Sequence, residues 1–156
     1  LILGIDPGSI LTGFGIIEVS SGQCLHRAPG TIKPKVKSFN ERVFHTCEEI
    51  YKITQQYQVN TTAIEQSFVN KNAQPSLKLG QVRGALILTI MRLELEIFEY
   101  TPRKVKSTVT GYGAADKLQM MEMVGRRLNI PQKQLTAESA DALAIAICHQ
   151  QCTRFV

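Results

Sequence analysis

The 156-residue chain contains no run of 18 or more apolar residues, and its first residues lack the basic-then-apolar pattern of a secretory signal. A soluble, cytoplasmic protein is therefore expected. Cysteine is sparse, and Cys24, Cys47, Cys148 and Cys152 form no Cys-x-x-Cys pair. Cys148, His149 and Cys152 lie close together near the end of the chain, but a zinc site needs a fourth ligand to which nothing points. Free thiols in a reducing compartment are the expectation. Internal repeats and low-complexity linkers are also lacking, so one domain over residues 1–156 is predicted, long enough to bury a core.

Apolar residues make up 44% of the sequence, an ordinary globular proportion. The net charge is +5, from 18 basic and 13 acidic residues. If four acids sit together in a metal site, nine remain against 18 basic residues, and the rest of the surface carries +9. Such a surface suits a polyanion, although a merely basic soluble domain has the same composition.

The order of elements reads β-β-β-α-β-α-β-α-α-α. Ile2–Asp6 is a short apolar run of the kind found in buried central strands. Strands over 12–19 and 23–32 follow, joined by Ser20-Ser21-Gly22. Pro29 cannot donate a ladder hydrogen bond, which makes the third an edge strand. Ser38-Phe39-Asn40-Glu41 reads as a capping box, opening a helix whose apolar face runs Val43, Cys47, Ile50, Tyr51 and Tyr57. Residues 61–65 and 97–100 read as the fourth and fifth strands.

Between those strands, 76–95 reads as a long helix that is apolar on several sides, through Leu79, Val82, Leu86, Ile87, Leu88, Ile90 and Met91. A helix without a clear wet face is deep core or a subunit interface. On the interface reading, Leu86→Glu or Ile90→Glu should yield monomers. Thr101-Pro102 is a good cap and first position for the next helix, a helix over 114–128 follows, and the last spans 136–150. Strands alternating with helices after an opening meander imply a three-layer α/β fold with a mixed sheet.

Four acids carry the chemistry. Asp6 ends the first strand before a Pro7-Gly8-Ser9 turn, and Glu65 ends another in the same way. Ligand sites in open α/β sheets gather at the carboxyl ends of strands, so neighbouring parallel strands would set these carboxylates side by side. Glu138 and Asp141 are three residues apart and share one face of the last helix, in its first turns, where the helix dipole favours negative charge. Beyond them the face turns apolar through Leu143, Ala144 and Ile147, which packs this helix on the sheet. Oxygen-only ligands of this kind suit Mg²⁺ or Mn²⁺, and two such ions can activate water and stabilise the leaving oxygen of a phosphodiester. Singly, each acid is as readily a turn or cap residue. Convergence of all four by chance is much rarer.

At these residues the chain resembles the RuvC-type Holliday junction resolvases of bacteria. The motifs are Leu3-Gly4-Ile5-Asp6-Pro7-Gly8-Ser9 with Thr12-Gly13-Phe14-Gly15, then Ala63-Ile64-Glu65-Gln66-Ser67-Phe68 and Asn70-Lys71-Asn72. They continue with Leu77-Lys78-Leu79-Gly80-Gln81-Val82-Arg83-Gly84, Val105-Lys106 and Ala140-Asp141-Ala142-Leu143-Ala144-Ile145-Ala146. The match runs through essentially the whole chain in order. It implies a ribonuclease-H-like fold with a five-stranded mixed sheet flanked by helices, a homodimer, and paired nicks in strands of like polarity in a four-way DNA junction. By position, Asp6, Glu65 and Asp141 are the metal-binding catalytic acids, with Mg²⁺ as cofactor, Mn²⁺ as substitute, and two ions per subunit. Glu138 takes the third acidic position, where the family usually has Asp. Lys106 and Lys117 match basic residues near the scissile phosphate, and Phe68 an aromatic that stacks on bases at the opened crossover. The implied partners are the branch-migration proteins RuvA and RuvB.

Taken by themselves, the accessory residues say less. Phe68 stands in a polar segment, where an exposed ring could stack on a base for roughly 1–3 kcal/mol or simply pack in a core. Lys71, Lys78, Arg83, Arg103, Lys106 and Lys117 could each touch DNA phosphates, though a lone basic side chain is more often merely solvated. Two other functions compete. A phosphate-binding ATPase of the actin and sugar-kinase type has a similar first motif but needs two domains and a second phosphate loop. A DNA-binding module without catalysis would be expected to have lost an acid, whereas all four positions here are acidic.

Overall fold

The pleat of the first strand, β1 (Ile2–Asp6), sorts its side chains onto two faces. Ile2 points into one apolar cluster, while Leu3 and Ile5 point into the other. The computed structural model describes residues 1–66 and 73–153. In these, β1 is followed by β2 (Thr12–Ser20), β3 (Gln23–Ile32), α1 (Phe39–Tyr57), β4 (Thr61–Glu65), α2 (Ala73–Met91) and β5 (Glu96–Tyr100). The last third holds α3 (Pro102–Thr110), α4 (Lys117–Leu128), a 3-10 turn at Gln132–Gln134 and α5 (Ala137–Thr153).

The sheet has five strands in the order β3-β2-β1-β4-β5. The opening meander pairs antiparallel, and β4 and β5 add in parallel on the other side of β1. Ser21 and Gly22 both have positive φ, 51° and 78°, which is what a two-residue hairpin turn of the twist-matching kind requires. Pro29 lies in β3, the edge strand, as its missing donor demands. One core joins the sheet to α3, α4 and α5, and the other joins it to α1 and α2. The result is the three-layer α/β arrangement expected from the alternation of elements.

Three glycines of the sheet let α5 come unusually close. A Cβ on Gly4 would stand 2.0 Å from the Ala142 carbonyl oxygen, one on Gly13 2.2 Å from that of Glu138, and one on Gly15 2.6 Å from the Leu143 Cγ. The helix therefore lies directly on the backbone of β1 and β2, and over residues 142–150 it is buried on every side.

Local chemistry moves several boundaries. Asp116 caps α4 in a reciprocal capping box with Gln119, so that helix starts at Lys117 rather than at 114. The chain leaves α2 at Met91 through a tight turn ending in left-handed Glu94, φ 57°, short of the expected 95. Leu86 and Ile90 are fully buried against the sheet, which corrects their assignment to a subunit interface. None of the four cysteines forms a disulfide, and His149 shares a hydrogen bond with the Tyr100 hydroxyl at 2.9 Å. Among the described residues, no helix is long and apolar enough to cross a membrane.

Candidate active site

Parallel pairing of β1 with β4 aligns Ile5 with Ile64, so the next residues, Asp6 and Glu65, end adjacent strands side by side. The pleat turns both toward the α5 face, which Gly4 and Ala63 also share. On α5, every residue over 139–150 is buried except Asp141. The first turn of this helix is fixed reciprocally: Ser139 N–H donates to the Thr136 hydroxyl at 3.1 Å, and Thr136 N–H donates to the Ser139 hydroxyl at 3.0 Å. That turn carries Glu138.

Asp6, Glu65 and Asp141 line one cavity of about 210 Å³, together with Lys106, Lys117, Pro102, Val105 and Met120. Lys106 comes from α3 and Lys117 from the first residue of α4, so five elements converge on the space. Its acids are largely withdrawn from solvent, where charge matters most. Burial, then repulsion from Glu65 and Asp141, pushes the Asp6 carboxyl up to about 8, while Lys117 pulls the other way. Burial and Asp141 push Glu65 up to about 7 against the pull of Lys106. Asp141 is raised too, chiefly by burial, with Lys117 and Lys106 opposing and Glu138 adding.

Glu138 is half-buried and bears electrostatically on Asp6 and Asp141, but it is not among the residues that line the cavity. It stands at the rim. Among the described residues, no group of three or more His, Cys, Asp or Glu side chains is gathered tightly enough to hold an ion as it stands. The acids surround the cavity without closing on a common point.

The other basic residues separate into kinds. Lys106 and Lys117 join the acids. Lys78 is exposed on α2 with its ammonium 5.6 Å from the centre of the Phe39 ring, and Arg103 is exposed on α3 with its stem beside Gly113. Arg83 turns inward, its Nε donating to the main-chain carbonyl of Glu65 at 3.2 Å. Phe68 and Lys71 lie outside the described residues. Sequence reasoning missed the apolar walls Pro102, Val105 and Met120 and the inward turn of Arg83. The walls carry no local signal, and the Arg83 contact depends on how α2 meets two strands.

The family described as crossover junction endodeoxyribonuclease RuvC matches residues 2–149. A crossover junction endodeoxyribonuclease RuvC of Acinetobacter baumannii is 45% identical over 149 residues, covering 96% of this chain and 82% of that protein. The structure of Thermus thermophilus RuvC in complex with a Holliday junction substrate superposes with a TM-score of 0.90 at 25% identity, over 99% of this chain and 94% of that one. The yeast mitochondrial Holliday junction resolvase Ydc2 shares the fold, with a TM-score of 0.72 at 10% identity over 96% of this chain and 77% of that one. With the ribonuclease-H-like sheet and the family match spanning nearly its whole length, this chain belongs to the RuvC family of crossover junction endodeoxyribonucleases.

Proposed function

We propose that this chain resolves four-way DNA junctions by metal-dependent, paired nicks in strands of like polarity, in the cytoplasm, during recombination and repair. The observation that carries the reading is the convergence of Asp6, Glu65 and Asp141 on one cavity beside Lys106 and Lys117. Three acids held above their ordinary range, chiefly by burial and in part by neighbouring carboxylates, are a donor set that calls for cationic charge. Two lysines offset it only in part. The donors are all hard oxygens, which fits Mg²⁺, with Mn²⁺ as a substitute. The site would take two ions per subunit, held by Asp6, Glu65 and Asp141, with Glu138 reaching in from the rim. When bound there, the metal supplies Lewis-acid polarisation of the phosphate and a more acidic water.

The protein's own groups do the rest. Asp6 and Glu65 sit on paired strands, so their spacing is set by the sheet rather than by a loop. Lys106 and Lys117 present point charges that can hold the phosphate oxygens and orient the scissile bond. Pro102, Val105 and Met120 give the same cavity an apolar side. Lys78 and Arg103, both exposed, would touch phosphates of the junction arms, and Phe68 and Lys71 would act at the crossover.

Paired nicks need two sites, and α2 supplies a surface for a homodimer. Leu77, Leu88 and Met91 are 62%, 61% and 56% exposed and fall on one stripe with Gly80 and Gly84, where an added Cβ would meet nothing within 4 Å. Partnership with RuvA and RuvB is carried over from the family alone. The deciding experiment incubates the pure protein and Mg²⁺ with a synthetic four-way junction and a matched linear duplex, then maps the cuts. Symmetric nicks in the junction alone support the reading, and equal cutting of both substrates overturns junction selectivity.

A further inference from the structure

Arg83 stands on α2 at the border between the buried row Val82, Leu86 and Ile90 and the exposed stripe of Gly80, Gly84 and Leu88. Its side chain is only 19% exposed. Nε donates to the Glu65 carbonyl at 3.2 Å, and Nη2 makes an ion pair with the Glu99 carboxylate of β5 at 2.5 Å. On the far side of the same peptide, Gln66 N–H donates to the Tyr100 carbonyl at 2.9 Å. The peptide that follows Glu65 is therefore held at both its oxygen and its nitrogen, at the point where the strand ends and the ladder would otherwise let it turn.

We propose that Arg83 is a positioning residue: clamped by Glu99, it fixes the peptide that carries Glu65 and so sets where the Glu65 carboxylate stands in the acidic cavity. The inference rests on the reading of Glu65 as a site acid. Its physical basis is leverage, since a backbone rotation at a strand end moves the carboxylate by an ångström or more, and errors of that size cost on the order of 100-fold in rate. Arginine suits the task because its rigid planar fork can hold the carbonyl by Nε while its charge stays beside the Glu99 carboxylate, which a lysine ammonium on a flexible stem does not do.

The test compares the unmodified chain with Arg83→Gln, Arg83→Lys and Glu99→Gln in three measurements. These are junction affinity in EDTA, the cleavage rate with enzyme saturating over junction, and the Mg²⁺ concentration that gives half of the metal's thermal stabilisation without DNA. Both Arg83 variants should bind junctions within about 2-fold of the unmodified chain and cut on the order of 10- to 100-fold more slowly, by the same positioning argument. Their half-stabilising Mg²⁺ concentration should rise severalfold. Glu99→Gln should move the same way by less. A phosphate contact behaves oppositely and would overturn the proposal: affinity falls, the salt slope drops by about 1, and Arg83→Lys is nearly normal at saturation. Unchanged rate and Mg²⁺ response in the Arg83 variants overturn it too. Should those variants fail to fold, Glu99→Gln decides on the same two readings. If the unmodified chain leaves junctions uncut, the assignment of the site acids fails, while the Mg²⁺ titration still reads the coupling of Arg83 to the cavity.

Discussion

Helices α2 and α5 look alike in sequence, each apolar most of the way round, yet the fold uses them in opposite ways. Residues 139–150 of α5 are buried except Asp141, whereas α2 buries only Val82, Leu86 and Ile90 and leaves Leu77, Leu88 and Met91 in solvent. Glycine placement explains the difference. The glycines that serve α5 are on the sheet, where Gly4, Gly13 and Gly15 let the helix settle onto the backbone. Those of α2 are its own, and Gly80 and Gly84 face open space. Glycine opposite a helix makes a core, while glycine on the outer face of one leaves room for a partner to approach closely.

Substituting each set of glycines should separate the two roles most widely. A Cβ at Gly4 would meet the Ala142 oxygen at 2.0 Å and the Ala146 nitrogen at 2.9 Å, both rigid backbone. Gly4→Ala should cost about 3 kcal/mol, near the upper end for overpacking, and lower the melting temperature by roughly 6–12 °C. Gly80→Ala meets nothing and should stabilise the subunit by about 0.4–1 kcal/mol while weakening self-association. Denaturant titration reads both, and equal effects at the two positions would erase the distinction between the two sets of glycines.

The next test concerns what covers α2. Leu77→Glu with Leu88→Glu should give a folded subunit that sediments as a monomer, binds junctions weakly and loses concerted cutting. Leu86→Glu should instead fail to fold, since its side chain is fully buried. A folded, monomeric Leu86→Glu would return the interface to the inner face of the helix.

What could be read in the sequence follows this divide. Asp6 and Glu65 were legible because a strand-end acid has one periodicity and one exit, and parallel pairing brought them together. The edge position of β3 was legible from Pro29 alone. The facing of α2 was not, because Leu86 and Leu88 have the same side chain and only the sheet decides which is covered. Arg83 and Lys106 are equally basic in the sequence, but one turns inward to a carbonyl and the other lines the cavity.

Asp141, the one uncovered residue in the buried stretch of α5, opens onto acids whose repulsion should be measurable as stability. The Asp6 carboxyl is raised to about 8 from 3.8, so the folded chain holds that proton more tightly than the unfolded one. Stability from this group is present below about pH 4 and is lost as pH rises through about 8, and Glu65, raised to about 7, acts in the same direction. Without divalent metal, the chain should therefore melt several degrees lower at pH 8.5 than at pH 5. Asp6→Asn removes the charge, so it should melt above the unmodified chain at pH 8.5, with the gap narrowing at pH 5. It should also abolish cleavage while junction affinity holds or rises, since DNA loses a repulsive neighbour. A lower melting temperature for Asp6→Asn at pH 8.5 would show that the acids are not in conflict.

The smallest expected effect is at Glu138, in the first turn of α5 and on the rim of the cavity that Asp141 lines. Its side chain is one methylene longer than that of Asp, so its carboxylate has further reach and one more torsion to fix. Gly13 brings this turn against β2, with the Glu138 carbonyl 2.2 Å from where a Cβ would stand, so the backbone cannot advance to shorten the reach. The side chain must swing in instead, at an entropic cost that a shorter Asp avoids. A ligand that must be recruited is felt as metal affinity, whereas one already in the cavity is felt as rate. Asp141→Asn should then be nearly inactive at any Mg²⁺ concentration. Glu138→Gln should lose on the order of 10-fold in rate at limiting Mg²⁺, equivalent to about 1.4 kcal/mol, and recover much of it at high Mg²⁺. Glu138→Asp should lie between Gln and the unmodified chain. A Mg²⁺ titration of the cleavage rate for the three proteins separates the cases. A Glu138→Gln loss as deep as that of Asp141→Asn and deaf to added Mg²⁺ would move Glu138 from the rim into the cavity.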